Sequence, residues 1–347
     1  MTLYHIADVH IGVKNQRLGD KLFDIQYKHL KRLYEDAVKN NVDFVVIAGD
    51  LFDSNSVPTS LARPVFELIA GYRGVHTIII PGGGASIKDE ITGHDAYTKD
   101  SIYKRVDIKA YFSRDNIHLL TPDNPYVKIK DVLFQGGFFE VPDYIDEDAL
   151  YHIAIVHGAF GKNEDEIDPK RLEDTPFDYI ALGHYHKHRV FGKSAYAGAF
   201  IQFEFTKAKD LKSGFVKVEP GPELNIEYVP FDDAPRFLKV ELLSKEDVDS
   251  VKDRLNDNTF VQIEGYLVEL EDDVMELLKN DNVALSDEHF VIESDGTSQV
   301  FYDTLLKNLL NYPEEYRVEI VSLIMRFIHK KATFPEVKDF LQKRYEI

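Results

Sequence analysis

The chain has 347 residues, 41 Lys+Arg against 60 Asp+Glu, a formal charge of −19, and neither cysteine nor tryptophan. At roughly 150 residues per domain the length suggests about two domains, and 44% hydrophobic with 29% charged residues is a globular composition. Without cysteine, disulfides, Cys-ligated zinc, iron–sulfur clusters and thiol nucleophiles are excluded together, so any metal must sit on His, Asp, Glu or Asn.

No apolar run reaches the ~18 residues of a membrane span, and no basic, apolar leader precedes the opening MTLYHIADVHIG. A soluble, cytoplasmic protein without membrane association is the expectation. The charge is unevenly spread: residues 233–295 hold a net −12, residues 296–347 a net +1 and residues 1–232 a net −8. An excess of acid argues against nonspecific attraction to nucleic acid, whose phosphates ask for a basic surface.

In chain order, residues 3–7, 43–48 and 76–80 are short apolar or β-branched runs that end in polar or glycine-containing turns, as strands do. Between the first two, Phe23, Tyr27, Leu30, Leu33, Tyr34 and Ala37 recur at helical spacing. A second helix starts at Pro58, where a missing N–H costs little, and runs through Leu61, Val65, Leu68 and Ile69. This alternation implies an α/β fold with parallel strands. From Tyr126 onward, short strands at 126–129, 132–135, 152–156, 179–182, 194–196, 214–218 and 224–228 predict a second sheet, mixed or antiparallel. A polar Asp-Asp-Ala-Pro stretch at 232–235 marks a boundary. Beyond it, strands at 237–242, 260–266 and 289–293 alternate with helices at 245–255 and 272–279, a small α+β domain. Three apolar stripes after 296, led by Phe301, Tyr316 and Phe334, read as helices. The expected organisation is therefore 1–232, 233–295 and 296–347.

Polar residues just after strands carry the chemistry. Asp8 and His10 follow the first strand, Asp50 and Asp53 the second, His157 the strand at 152–156, and His184 and His186 the strand at 179–182. Ligand sites of open α/β sheets lie at such C-terminal strand ends. A lone D-x-H or H-x-H is more often ordinary polarity than a metal site. Four such signals in order are different, and a cysteine-free His/Asp set suits two ions of manganese, iron or zinc. A carboxylate such as Asp50 could bridge cations about 3.5–4 Å apart, which polarise a phosphoryl oxygen and activate a bridging water.

These motifs resemble the calcineurin-like metallophosphoesterases, whose pattern is D-x-H, G-D-x-x-D, G-N-H-D, a lone His and G-H-x-H. Within that superfamily HIADVHIG, VVIAGDLFDSNSVP, YIALGHYHKH and YAGAF are similar to the SbcD-type (meiotic recombination eleven) DNA repair nucleases, and PRFLKVEL to the opening of their capping domain. The resemblance implies a four-layer αββα sandwich at 1–232, a capping domain at 233–295 and a helical region at 296–347. It implies two manganese ions, with Asp8, His10 and His186 on one, Asp50 bridging, and His157 and His184 on the other. It implies a double-strand exonuclease and single-strand endonuclease acting at DNA ends through a metal-bound hydroxide. The implied partner is an SMC-like coiled-coil ATPase bound through 296–347. The implied homodimer uses helices near 58–72 and 100–112.

One motif departs. Where G-N-H-D is due, the chain reads Gly82-Gly83-Gly84-Ala85. Gly83 removes an amide ligand, which would weaken the second metal position, and Gly84 removes the histidine that stabilises the phosphoryl group or protonates the leaving oxygen. Gly93-His94-Asp95 follows about ten residues on, and a loop folding back would let His94 substitute. Asp53 stands where these nucleases usually carry histidine. A weakened nuclease, a catalytically silent DNA-end-binding scaffold, an engineered inactive variant and a small-molecule phosphodiesterase all fit the departure. Lys104, Arg105 and Lys109, on a helix expected after Asp100, are a solvated face or touch DNA phosphates. His5, His29, His76, His118, His152, His188, His289 and His329 have no motif context and read as structural or solvated.

Overall fold

The computed structural model describes residues 1–82, 94–137, 142–160, 172, 174–207 and 211–292. Gly83, Gly84, Ala85, His329 and the helices expected at 296–347 lie outside the described residues. The chain divides into two compact units: Met1–Glu204 with Asp210–Pro235, and Phe205–Lys209 with Arg236–Ile347.

The first unit is built on two six-stranded sheets. In the first sheet, β1 (Leu3–Ile6), β2 (Phe44–Ala48), β3 (His76–Ile80) and β4 (Ile117–Leu119) run parallel. The second sheet takes β5 (Tyr126–Ile129), β6 (Val132–Gly137), β7 (Tyr151–His157), β8 (Tyr179–Gly183), β9 (Arg189–Phe191) and β10 (Ser194–Tyr196). Of these β6, β7, β8 and β10 are parallel neighbours, while β5 and β9 close the edges antiparallel.

Strands β1 and β2 are buried at every position because both of their faces are covered. Leu3, Phe44, Val46 and Ile78 face Phe134, Ile153, Ile155 and Tyr179 of the second sheet. On the outer face of the first sheet, Tyr4, Val45, Ile47 and Ile79 pack under α1 (Lys21–Lys39) and α2 (Thr59–Gly71) through Leu30, Leu33, Tyr34, Val65 and Phe66. The outer face of the second sheet carries Ala154, Val156, Ile180 and Leu182 against Leu172 and Phe177. Residues 161–171 and 173 lie outside the described residues. The architecture is an α/β sandwich of helices on paired mixed sheets, as expected.

Two local expectations are corrected. Strands β11 (Gly214–Glu219) and β12 (Asn225–Pro230) join the first sheet rather than the second, β11 pairing antiparallel with β1. The open edge of β1 offers unpaired backbone groups, and a hairpin that covers it removes that liability. The segment after Asp100 is three short turns rather than one helix: a 3₁₀ turn at Ile102–Lys104, α3 (Val106–Lys109) and a 3₁₀ turn at Ala110–Ser113. Arg105 breaks it with an extended backbone, and its guanidinium is spent on the Val57 carbonyl at 2.6 Å, Thr59 and Asp107. It is therefore engaged within the fold, while neither Lys104 nor Lys109 forms an ion pair among the described residues.

The second unit centres on a three-stranded parallel sheet, β13 (Arg236–Leu242), β14 (Thr259–Leu267) and β15 (Val283–Ile292). Helices α4 (Lys245–Arg254) and α5 (Glu271–Leu277) bury Val248, Val251, Val274 and Leu277 with Leu238, Val261 and Ile263. Ser244 caps α4 by accepting the Asp247 N–H. The inserted segment 205–209 belongs to this unit: Thr206 donates to the Phe237 carbonyl and accepts from the Lys239 N–H.

Candidate metal centre

The polar residues named from the sequence gather at the C-terminal ends of β1, β2, β7 and β8. Asp8, His10, Asp50 and His184 adopt positive φ, at 52°, 50°, 50° and 108°. Side chains pay for that conformation, and such strain concentrates where a strand must turn abruptly to aim a functional group. Gly49 (φ 86°) leaves room that a Cβ would fill, 2.2 Å from His157 Nδ1. A Cβ on Gly82 would stand 1.7 Å from Asp50 Oδ1. Both glycines let the backbone approach the cluster closely.

Two triads overlap at Asp8. Ligand atoms of Asp8, His10 and His186 lie within 4.8 Å of one another, as do those of Asp8, Asp50 and His157. A third group joins His10, Asp53 and His94. Asp8, His10, Asp50 and His157 are each at most 3% exposed. His184 is outside these triads, its ring centroid 5.5 Å from that of His157, and its N–H donates to both Asp8 oxygens at 3.0 and 3.1 Å.

The donor set fits divalent cations. His10 Nδ1 and Nε2 and Asp50 Oδ1 are buried with no hydrogen-bond partner among the described residues, and burial without a partner is costly unless something occupies the gap. His157 Nδ1 lies 2.8 Å from the Ala48 carbonyl, which sets it as the donor and turns Nε2 toward Asp50 Oδ2 at 3.3 Å.

Electrostatics follow from crowding in a buried place. Burial raises Asp8 to about 6, with the Asp50 charge adding to it against the pull of His157, His10 and the His184 N–H. Burial works against a charged His157, yet Asp50, Asp8 and the Ala48 carbonyl outweigh it and carry His157 up to about 10. Asp50 is held below the usual carboxylate range because His157, His10 and His94 overcome its burial. His186 is pushed down to about 4 by burial and by neighbouring His10.

Several contributors were not legible in the motifs. The Asp95 carboxylate is fully buried and accepts from the Phe52 N–H at 3.0 Å, the Gly82 N–H at 2.5 Å and the Tyr103 hydroxyl at 2.5 Å. It thereby ties together the turns after β2 and β3. His94, 47% exposed, has Nε2 3.9 Å from Asp50 Oδ2 and Nδ1 2.8 Å from the Asp53 carbonyl. Gln26 of α1 donates to the Val9 and His10 carbonyls. The Phe203 ring meets the rings of His10 and His186 at centroid distances of 4.8 and 5.3 Å. Asn15 holds that residue by donating to its carbonyl at 2.7 Å. Only His94-Asp95, a displaced H-D pair, left a signal in the sequence.

The histidines without motif context have partners elsewhere: His5 with Tyr179, His29 with Asp233, His76 with His118, His152 with the Asp146 carbonyl, His188 with the Tyr196 carbonyl and His289 with the Ser286 carbonyl.

A DNA double-strand break repair protein Mre11 from Sulfurisphaera tokodaii is 26% identical over 210 residues, 54% of this chain and 50% of that protein. One from Aeropyrum pernix is 31% identical over 90 residues, 25% of this chain and 22% of that protein. The chain thus spans at most about half the length of these relatives. A purple acid phosphatase from seeds of yellow lupin (Lupinus luteus) aligns over 67% of this chain and 52% of its own, at 11% identity and a TM-score of 0.39. Among the described residues no helix is long and apolar enough to cross a membrane. The sequence model of the calcineurin-like phosphoesterases matches residues 1–188, more than half of the chain, and the chain belongs to that family.

Proposed function

We propose that this phosphoesterase is a dinuclear-metal DNA nuclease of double-strand-break repair. The observation that carries the reading is the pair of triads meeting at Asp8, with His10 Nε2 and Asp50 Oδ1 buried and without a hydrogen-bond partner among the described residues. The similarity to two DNA double-strand break repair proteins supports DNA as the substrate.

Asp8, His10 and His186 would hold one cation and His157 and His184 the second, with Asp50 between them. Two manganese ions there would supply the Lewis acidity and the activated water that phosphodiester hydrolysis needs. The protein's own groups do the rest. The His184 N–H keeps the Asp8 carboxylate turned inward. The Ala48 carbonyl fixes which His157 nitrogen is free. Asp53 Oδ1, 3.5 Å from His10 Nδ1 and 3.7 Å from His94 Nδ1, steadies both rings. His94 Nδ1 is committed to the Asp53 carbonyl, so Nε2 is the nitrogen that can meet a phosphoryl oxygen or protonate the departing one. His94 thus takes the part that Gly84 cannot. As an SbcD-type nuclease, the chain would dimerise through 58–72 and 100–112 and bind an SMC-like ATPase through 296–347.

The test is manganese-dependent degradation of linear and hairpin DNA by the wild-type chain and His94→Ala. The expected loss is about 10²–10⁴ in rate, with bound manganese unchanged. Equal, negligible turnover by both proteins would mean a silent end-binding scaffold. Cleavage of small phosphodiesters but not DNA would overturn the substrate. Deleting 296–347 should abolish ATPase co-purification and spare metal binding.

A further inference from the structure

Beside the metal centre lies an open groove of about 740 Å³ whose walls come from residues 97–127. That volume is in the range of small-ligand sites. Strand β4 is parallel to β3, so Leu119, Leu120 and Thr121 of the groove sit at the same end of the sheet as Gly82. The two features share a wall. Tyr103, which lines the groove, donates to Asp95, and Asp95 accepts from Gly82, whose backbone abuts the Asp50 carboxylate. Two short hydrogen bonds and one close contact therefore separate the groove from Asp50.

The groove's chemistry differs from that of the molecule around it. In a chain of net charge −19, no lining residue carries a carboxylate, while Lys104 and Lys109 do line it. Tyr97, Phe112 and Val127 give an apolar wall with aromatic rings, and Lys104 Nζ lies 4.1 Å from the Tyr97 ring centroid. Neither lysine forms an ion pair among the described residues. Flat rings beside cations, with Asn124 and Ser113 at hand for edge hydrogen bonds, suit a nucleobase carrying a phosphate. An acidic peptide would use the lysines and leave the rings idle, and a lipid chain would do the reverse.

We infer that this groove is a nucleotide subsite for a single strand: it takes an unpaired base on the Tyr97/Phe112 wall and the adjoining phosphate on Lys104 and Lys109. The inference rests on the nuclease reading and names where an unpaired part of the substrate goes. A base in a duplex is stacked on its neighbours and cannot enter, so the groove discriminates between a single strand and a blunt duplex.

The test uses the full chain with metals chelated, so that binding is read without cleavage. Binding is read by the fluorescence anisotropy of end-labelled DNA, which leaves the groove unaltered. Oligothymidylate should bind through the groove, and a blunt duplex of two annealed strands, which has no unpaired base, should not. In a Lys104→Ala/Lys109→Ala variant, oligothymidylate affinity should fall about ten-fold or more, with blunt-duplex affinity within two-fold. An unmoved oligothymidylate affinity would overturn the subsite, as would equal loss for both DNAs. Displacement of the labelled oligonucleotide by thymidine monophosphate at the same concentration would make it a free-nucleotide site and refute the strand assignment. Within 100–112 the dimer contact of the nuclease reading would fall to Val106, 90% exposed and not part of the groove, so a shift from dimer to monomer on losing the lysines would make the groove itself that contact and refute the subsite. Wild-type cleavage of DNA with an unmoved binding profile would sink the subsite alone. Failure of the wild type to cleave or bind any DNA would sink the nuclease reading with it.

Discussion

His5 shows what a single buried side chain does to the molecule. Its Nδ1 sits 2.8 Å from the Tyr179 hydroxyl across the space between the sheets, and burial pushes its pKa from 6.5 down to about 3. Below pH 6.5 the unfolded chain takes up a proton that the folded chain refuses, so stability is lost as pH falls from about 6.5 toward about 3. His5→Gln, which keeps a hydrogen-bonding partner for Tyr179, should flatten urea-derived stability across that window by up to one proton, about 1.4 kcal/mol per pH unit. Unchanged pH dependence would show that His5 is not a source of acid lability. Asp8 and His10 present a different lesson at this scale. Their spacing was readable, since D-x-H after an apolar run is a local pattern. Their positive φ was not, because only the packed turn requires it.

Among elements, the turns after β2 and β3 depend on one carboxylate. Asp95→Ala would leave the Phe52 N–H, the Gly82 N–H and the Tyr103 hydroxyl buried without an acceptor. At about 1–3 kcal/mol for each orphaned group the protein should lose roughly 3 kcal/mol or more, measurable by chemical denaturation. Turnover should drop along with that of His94→Ala, since His94 loses its seat. A variant of wild-type stability would mean that water satisfies these groups. The same elements mark the limit of sequence reading. Strand-end motifs announce themselves because strand, turn and ligand are contiguous. His94 reaches Asp53 across 41 positions, and no pattern within a window encodes that return. The hairpin of β11 and β12 was visible as two strands, but its sheet was not, because the choice rests on pairing with β1 some two hundred residues earlier.

Across the whole molecule, charge and chain path matter most. More than half of the −19, a net −11, belongs to 236–295, outside the unit that holds the His/Asp cluster. Acidity therefore does not by itself bar a phosphate-bearing substrate from the site. The path is discontinuous, since 205–209 belongs with 236–347. A fragment ending at 235 keeps that segment without β13, and one starting at 236 has β13 without it. Each should melt below the corresponding transition of the intact chain; a 236–347 fragment with an undiminished melting temperature would show that the inserted segment adds nothing. Phe203, whose ring seats His10 and His186, is three residues from Thr206, which is hydrogen-bonded to β13. Three residues extend to about 10 Å at most. The strand pairing of Thr206 and the ring packed on both imidazoles are thus set by one stretch of four residues.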